Sequence, residues 1–130
     1  MSTEIQEQDR PLKILVVDDD VASRMVLSVS LKKLGNTVIL ANSGIDAIQI
    51  CKNQSDIDLV LMDIRMPDMD GYEASQEIRK FNKDIVIITQ TSNEYTGGKL
   101  KAIEAGGNDY ISKPINFQEL NAIIQRHFNK

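Results

Sequence analysis

A short apolar run that ends at an acidic residue restricts the fold more strongly than any other segment. Residues 59–62 (Leu-Val-Leu-Met) are all apolar, and Asp63 follows them directly. A run of this length and character is typical of a strand that is buried on both faces, as in a parallel sheet. Asp63 is therefore expected at the carboxyl end of that strand, which is the edge at which open α/β sheets bind ligands.

The residues after Asp63 indicate a turn and then a helix. Pro67 and the pair Asp70 and Gly71 are turn-forming residues. A carboxylate held between a buried strand and such a turn indicates a reacting or metal-binding group. The alternative is that Asp63 caps the next helix, although Asp68 and Asp70 lie closer to the start of that helix.

Strand and helix patterns alternate along the whole chain. In the first helical segment, apolar residues recur near helical spacing at Val21, Met25, Val29 and Leu34. Strict alternation of this kind requires a parallel sheet with right-handed crossovers and helices on both faces. The predicted strands cover residues 12–17, 37–41, 59–63, 84–90 and 108–112, and the predicted helices lie around residues 21–34, 43–51, 71–81, 100–105 and 116–128.

Bulk composition narrows the classes of partner. A chain of 130 residues, 42% hydrophobic and 26% charged, suits one globular domain. The net charge of −4 argues against nucleic acid or an anionic membrane as a direct partner. No apolar run is long enough for a membrane span, and the N-terminus lacks the order of a signal peptide. Because Cys51 is the sole cysteine, no internal disulfide forms, and the cytoplasm is the expected location.

Acidic, hydroxyl and lysine side chains follow four of the predicted strands, so they are expected to converge on one edge of the sheet. Clustered carboxylates repel one another unless a cation joins them, and a hard cation such as Mg²⁺ takes carboxylate, water and phosphate oxygens. A lysine and a hydroxyl on the other side suit phosphoryl oxygens, which need charge neutralisation and positioning. The residues concerned are Asp18, Asp19, Asp20, Asp63, Thr91, Ser92 and Lys113.

Four segments with their own sequence motifs are spread over nearly the whole chain from Leu12 onward. They are residues 14–20 (Ile-Leu-Val-Val-Asp-Asp-Asp) with Arg24, 61–71 (Leu-Met-Asp-Ile-Arg-Met-Pro-Asp-Met-Asp-Gly), 87–92 (Ile-Ile-Thr-Gln-Thr-Ser) and 105–114 (Ala-Gly-Gly-Asn-Asp-Tyr-Ile-Ser-Lys-Pro). In these motifs the chain resembles the receiver domains of two-component response regulators, and it is also similar to the receivers inside hybrid sensor kinases. The fold that the resemblance implies is a five-stranded parallel sheet of order 2-1-3-4-5, doubly wound with five helices and flavodoxin-like.

The resemblance assigns a role to each polar residue at this edge. It implies that Asp63 is the phosphoacceptor and that Asp18 and Asp19 form the acidic pair. Mg²⁺ would be held at Asp18, Asp19 and Asp63 together with the backbone carbonyl of Arg65. Lys113, which precedes a proline that is often cis in the family, would contact the phosphoryl group.

The resemblance also implies a conformational switch made of a threonine and an aromatic residue. Thr89 and Thr91 are both available, and the family's spacing from Lys113 selects Thr91. Tyr110 matches the aromatic that moves with that threonine. The residues two beyond the acceptor and two beyond the threonine, Arg65 and Asn93, tune phosphoryl lifetime in the family. Gln90 and Gly107 are unusual residues for their positions.

Three functions follow as hypotheses for residues 11–130, with residues 1–10 as a flexible tail or linker. The first is a receiver that accepts a phosphoryl group from a histidine kinase or phosphotransfer domain. Its output would be a downstream protein or a parent polypeptide, because no output segment follows Lys130. Such a domain promotes its own phosphorylation and dephosphorylation without turning over a free substrate, although a parent hybrid chain would be a histidine kinase. The alternatives are a Mg²⁺-dependent aspartyl-phosphate phosphohydrolase of a small molecule and a degenerate docking module.

Several of these polar residues also have purely structural interpretations. Asp20 is expected to cap the first helix, as Ser43 is the second and Asn116, with Glu119, the last. Lys113 has the alternative of a solvated surface charge, and Tyr110 that of a core residue. His127 is expected to interact with the dipole of the last helix, and Cys51 to be buried.

Overall fold

The computed structural model describes residues 11–92 and 98–128, so the predicted tail at residues 1–10 lies outside the described residues. Within these ranges no helix has the length and apolar character needed to cross a lipid bilayer. The strands are β1 Lys13–Val17, β2 Thr37–Ala41, β3 Leu59–Asp63, β4 Val86–Ser92 and β5 Asp109–Lys113. The helices are α1 Val21–Lys33, α2 Gly44–Asn53, α3 Gly71–Arg79, α4 Gly98–Glu104 and α5 Phe117–Phe128.

All five strands form one parallel sheet in the order β2-β1-β3-β4-β5, which confirms the predicted flavodoxin-like fold. The strand at residues 59–63 is buried at every position, as its apolar run indicates. In register, Val17 lies opposite Met62, and Asp63 lies opposite Gln90. The carboxyl ends of the central strands therefore meet at one edge.

Two apolar layers cover the two faces of the sheet, because successive strand side chains point in opposite directions. On one face, Leu15 and Val17 belong to a cluster completed by residues of α2 and α3. On the other, Ile14 and Val16 belong to a cluster completed by residues of α1 and α5. This arrangement confirms the prediction of helices on both faces.

Helix α1 confirms a predicted element but not the face that its pattern indicated. Val21, Met25 and Val29 are 63%, 57% and 51% exposed, and Leu34 lies just after the helix. Leu27 and Leu31 are 3% and 1% exposed and pack against the sheet instead. Since apolar residues occur on both sides of this helix, periodicity alone does not select the buried side.

Two strands lie further toward the C-terminus than the sequence indicated. Strand β4 covers Val86–Ser92 rather than residues 84–90, and β5 covers Asp109–Lys113 rather than residues 108–112. Thr91 pairs with Ser112 and Ser92 pairs with Lys113, so the two strands stay paired up to these residues. Pairing with a neighbour therefore extends strands that local propensity ends earlier.

The predicted caps are in place at the helix starts. The Asp20 carboxylate accepts from the Ser23 backbone N–H at 2.9 Å, and the Ser43 hydroxyl accepts from the Asp46 N–H at 3.1 Å. The Asn116 side chain accepts from the Glu119 N–H at 2.9 Å. Helix α3 begins with a reciprocal capping box between Asp70 and Glu73. These bonds satisfy N–H groups that lack partners within the helix.

The corrected face of α1 leads to a paired mutational test. Replacing Leu31 with alanine should lower the free energy of unfolding by about 2–5 kcal/mol, because it leaves a cavity in a packed layer. Replacing Val29 with alanine, on the exposed side of the same helix, should change it by less than about 0.5 kcal/mol. Urea unfolding of the two variants checks this, and equal losses would contradict the orientation of α1.

Candidate functional site

Three strand ends bring two acidic side chains and one lysine to the same edge of the sheet. Asp18 follows the last residue of β1, Asp63 is the last residue of β3, and Lys113 is the last residue of β5. Asp18 is fully buried, and Asp63 is 4% exposed. The structure therefore brings three of the seven predicted residues together at this edge.

The Lys113 ammonium binds both buried carboxylates. Its Nζ lies 2.7 Å from Asp63 Oδ1 and 3.5 Å from Asp18 Oδ2. One ammonium thus faces two carboxylates, and the lysine is a member of the site rather than a solvated surface charge. The peptide bond from Lys113 to Pro114 is cis, as the resemblance implied.

Asp18 is held in place from several directions. Its Oδ1 accepts from the Asp20 N–H at 2.9 Å, and its backbone N–H donates to the Ala41 carbonyl at 3.1 Å. The Arg24 guanidinium donates to the Asp18 backbone carbonyl at 2.7 Å. Asp18 therefore presents Oδ2 to the site with little freedom to move, and Asp20 both caps α1 and supports Asp18.

Asp18, Asp19 and Asp63 form a group with the donor chemistry of a hard cation site. One carboxylate oxygen from each lies within 4.8 Å of the others, with Asp19 on the exposed side. An all-oxygen set that is open to solvent suits Mg²⁺, which keeps several of its waters. Arg65 and Asp19 both line a cleft of about 600 Å³ beside this group.

The charges at this site shift two pKa values. Burial raises the pKa of Asp63 from its ordinary value of 3.8 to about 6, and Asp18 and Asp19 add to the rise while Lys113 opposes it. Burial would lower the pKa of Lys113, but its bonds to Asp63 and Asp18 outweigh that effect and raise it. At neutral pH Asp63 is mainly ionised and Lys113 is charged, so the carboxylate is available as a nucleophile.

A glycine allows α3 to start directly against the end of β3. The Gly71 N–H donates to the Ile64 carbonyl at 2.9 Å. A Cβ at this position would overlap the Asp63 carbonyl oxygen and lie 2.9 Å from the Asp63 carbonyl carbon. The side chain of any other residue would therefore displace the backbone that carries Asp63.

Thr91 and Tyr110 lie on neighbouring strands and on the same face of the sheet. Thr91 pairs with Ser112, and Tyr110, two residues before Ser112, pairs with Thr89. Thr91 is 3% exposed, and Tyr110 is half-buried. Strand alternation places both residues on the α2–α3 face, opposite the face shared by Asp63 and Lys113. Asn93 lies outside the described residues.

The structure also shows the surroundings of Cys51 and His127. Cys51 is 2% exposed, and burial raises the pKa of its thiol to about 11. His127 lies in the last turn of α5, and its Nε2 is 3.1 Å from Asp109 Oδ2. Arg126 binds the same carboxylate oxygen at 2.6 Å. His127 therefore has an acidic partner that the sequence did not indicate, because residues 109 and 127 meet only in the folded chain.

Sequence reasoning noted Gln90 as unusual but gave it no role. Its side chain is 1% exposed and faces the α1–α5 side, where its neighbours Ile88 and Ile111 are apolar. Neither amide atom of Gln90 has a hydrogen-bond partner among the described residues. The signal in the sequence was a polar residue at a strand position where an apolar residue is expected.

The sequence matches the model of a known protein family over most of its length. The model for the response regulator receiver domain matches residues 14–125. A hybrid signal transduction histidine kinase L of Dictyostelium discoideum is 39% identical over 136 aligned residues, covering 97% of this chain and 8% of that kinase. The chain spans between 8% and 49% of the length of this and other curated relatives that it matches.

Two solved structures show the same fold. The receiver domain of a sensor histidine kinase from Pseudomonas aeruginosa, with a magnesium ion coordinated in its active-site cleft, has 35% identity and a TM-score of 0.82, covering 93% of this chain and all of that one. A co-crystal structure from Saccharomyces cerevisiae joins the histidine phosphotransfer protein Ypd1 to the receiver domain of Ssk1. It matches with 30% identity and a TM-score of 0.82, covering 88% of this chain and 86% of that one.

The raised pKa of Asp63 predicts how stability depends on pH in the metal-free protein. Since its pKa is about 6 when folded and 3.8 ordinarily, the folded state binds this proton more tightly. The resulting stabilisation is complete below pH 4 and is lost as pH rises through 6. A tenfold difference in proton affinity is worth about 1.4 kcal/mol, so the loss is on the order of 3 kcal/mol.

Urea unfolding in EDTA across pH 4–7 measures this loss. The difference in unfolding free energy between wild type and Asp63→Asn isolates the contribution of Asp63, and Asp68→Asn serves as an exposed control in the next loop. As pH rises, the unfolding free energy of the wild type should fall relative to that of Asp63→Asn. The unfolding free energy of Asp68→Asn should follow that of the wild type. Parallel curves for the wild type and Asp63→Asn would show that Asp63 has no raised pKa.

Proposed function

Because the chain belongs to the response regulator receiver family, we propose that it is the phosphoacceptor of a two-component phosphorelay and that Asp63 receives the phosphoryl group. The observation that carries this proposal is the buried Asp63 carboxylate, bound by Lys113 at 2.7 Å and clustered with Asp18 and Asp19. A carboxylate, a fixed ammonium and a potential cation site are the parts that phosphoryl transfer needs.

In the proposed reaction, an oxygen of Asp63 attacks the phosphorus of a phosphohistidine on the donor. The new bond joins that oxygen to phosphorus, and the electron pair of the breaking phosphorus–nitrogen bond returns to the imidazole. Lys113, which pairs with the Asp63 carboxylate before the reaction, donates to a phosphoryl oxygen and stabilises its negative charge. Asp18, fixed by the Asp20 N–H, stays in position throughout.

The residues that would hold Mg²⁺ are Asp18, Asp19 and Asp63, with the backbone carbonyl of Arg65. When bound, the ion would supply positive charge that offsets the negative charge of the carboxylates and of the phosphoryl oxygens. Three oxygen ligands within 4.8 Å of one another support this assignment, as does the magnesium ion in the similar Pseudomonas receiver.

A protein donor is favoured over a free small molecule. The three described loops around Asp63 are short, at residues 18–20, 64–70 and 114–116, and loops of such length do not form a cap that encloses a substrate. The exposed apolar side of α1, with Val21 and Met25, starts directly beside Asp19. Exposed apolar patches beside a site are typical of protein contacts. A histidine kinase or a histidine phosphotransfer protein is therefore the proposed donor, as in the Ypd1 complex of the similar yeast receiver.

The proposed output is a change of the surface formed by α4, β5 and α5. A phosphoryl group on Asp63 adds acceptor oxygens that need donors. The Thr91 hydroxyl, which starts on the opposite face near the carboxyl end of β4, would turn over the edge of the sheet toward them. The Tyr110 ring, on the same face as Thr91, would turn into the vacated space. Both states exist before phosphorylation, and the phosphoryl group shifts their populations. Arg65 and Asn93 would tune how long the phosphoryl group survives.

The wider setting of the domain is also part of the proposal. A downstream protein or a parent polypeptide would read the switched surface, since the chain spans less than half of the length of the curated relatives considered. The cytoplasm is the proposed location, because the lone Cys51 fits a reducing compartment. The net charge of −4 argues against direct contact with nucleic acid or an anionic membrane.

Intact mass measurement after incubation with Mg²⁺ and acetyl phosphate tests the phosphoacceptor directly. The wild type should gain the mass of one phosphoryl group, and Asp63→Asn should gain none. Asp68→Asn, with the same change at an exposed loop position, should behave as the wild type. A full gain of mass in Asp63→Asn would refute the assignment.

Lys113 should act on the phosphoryl group rather than on the cation. We expect Lys113→Ala to retain Mg²⁺ binding while its phosphorylation rate falls by roughly 10²–10³, the usual cost of one fixed donor. Lys32→Ala, an exposed lysine on α1, is the matched control. If Lys113→Ala lost Mg²⁺ affinity as severely as Asp19→Ala, the assigned role would be wrong.

NMR spectra with a beryllofluoride mimic of the phosphoryl group test the switch. Chemical shifts should change at Thr91, Tyr110 and residues 100–105, with little change at residues 38–50. The change at Tyr110 should disappear in Thr91→Ala and persist in Ser112→Ala, which alters the residue paired with Thr91. Changes confined to the loop after Asp63 would mean that the domain does not signal through this surface.

A further inference from the structure

Strand β2 forms one edge of the sheet and pairs with β1 on its inner side. Thr37 and Ala41, at its two ends, form backbone hydrogen bonds with the residues that flank β1. The backbone groups of successive strand residues point alternately to the two sides. Those of Ile39 therefore also point toward β1, and those of Val38 and Leu40 point outward. Leu40 is 41% exposed, so other molecules can reach this outer side.

The outer side of β2 lacks the features that usually stop an edge strand from pairing with another chain. Such strands commonly carry a charged residue, a proline or a bulge. Strand β2 reads Thr-Val-Ile-Leu-Ala, and all of its residues pair with β1 in unbroken register. The opposite edge strand, β5, has Asp109 and Lys113 at its ends. Of the two edges of the described sheet, that of β2 is therefore the more open to strand addition.

The side of α1 that lies toward this edge carries apolar side chains between an acidic and a basic residue. Val26 lines a cavity that α1 shares with the start of α5, so the flank with Val26 faces α5. Helical spacing places Val21 and Met25 on the opposite flank, toward β2, and both are exposed. Lys32 lies on that flank near the end of α1, and Asp20 is exposed at the start of the helix.

We propose that β2 pairs in antiparallel orientation with β2 of a second copy of this chain, which joins two five-stranded sheets into one. A two-fold axis at Ile39 would place Val38 of each copy opposite Leu40 of the other. The outward N–H and carbonyl groups of each such residue pair would then exchange two hydrogen bonds. A shift of two residues in either direction would pair only one of the two outward residues, so the strand favours this register.

Charge and spacing favour a second copy over an unrelated peptide. Helix α1 packs on both β1 and β2, so the two copies of α1 would lie about two strand spacings apart, about 10 Å, which is the usual distance between packed helices. The two helices would run antiparallel, so Asp20 of each copy would face the end of the other helix that carries Lys32. The apolar side chains of Val21 and Met25 would lie between these ends.

The proposed interface is small, because it consists of one short strand pair and one helix pair. The dimer should therefore be weak, with a dissociation constant of about 0.1–1 mM. Val21 and Met25 also belong to the proposed donor contact on α1, so a donor protein and the second copy would exclude each other. Access of the donor to this side of α1 would then require dissociation of the dimer.

Sedimentation equilibrium at protein concentrations from about 10 µM to about 2 mM measures the association. The wild type should form dimers, and Leu40→Lys should dimerise about tenfold more weakly or worse, because it puts a charge on the paired edge. Leu100→Lys makes the same change at an exposed position of α4 and should dimerise as the wild type does. A wild type that stays monomeric, an undiminished dimer in Leu40→Lys, or an equal loss in Leu100→Lys would overturn the proposal.

Amide hydrogen exchange followed by NMR tests the register in the unchanged chain. The amides of Val38 and Leu40 should exchange more slowly as the protein concentration rises, whereas the Ile39 amide, which points toward β1, should be protected throughout. In Leu40→Lys the exchange of Val38 should depend far less on concentration, and a protected Ile39 amide would show that the variant is folded. Exchange of Val38 that is independent of concentration in the wild type would overturn the pairing. Because no phosphodonor or Mg²⁺ is present, that result would leave the phosphoacceptor assignment unaffected.

Discussion

The ion pair between Lys113 and Asp63 holds the charged groups of the site together. It connects the last residue of β5 to the last residue of β3 across 2.7 Å, with Asp18 of the β1 end 3.5 Å from the same ammonium. Two buried carboxylates against one ammonium leave unbalanced negative charge in a poorly solvated place. Burial of the carboxylates is costly for the apo fold, and the same imbalance attracts a cation and then a phosphoryl group.

Three local features of the fold keep these charged residues in place. The Asp20 backbone N–H binds Asp18 while the Asp20 carboxylate caps α1. Gly71 allows α3 to start against the Asp63 carbonyl. The parallel register aligns the strand ends, so the charged residues need no long loop to reach one another. The free energy gained by burying the two apolar layers offsets the free energy that is lost by burying the carboxylates.

Much of the fold and of the site follows from residue order alone, because a parallel α/β sheet sends every strand's carboxyl end to one edge. Asp18, Asp63 and Lys113 were predictable for that reason. The buried side of α1 was not, since Leu27 and Leu31 compete with an equally apolar outer side. The extension of β4 through Thr91 and the pairing of His127 with Asp109 depend on contacts between segments distant in sequence. Gln90 carried a local signal, but its lack of a partner is visible only in the packed structure.

The thermal unfolding midpoint with and without Mg²⁺ tests the central claim most directly. In EDTA, Asp63→Asn and Asp19→Asn should unfold at or above the wild-type temperature, because each removes one repelling carboxylate. Mg²⁺ at ten times its dissociation constant should stabilise the wild type by about 1.4 kcal/mol and leave both variants unchanged. A wild-type midpoint indifferent to millimolar Mg²⁺ would contradict the account, since the carboxylate cluster would then not be a cation site.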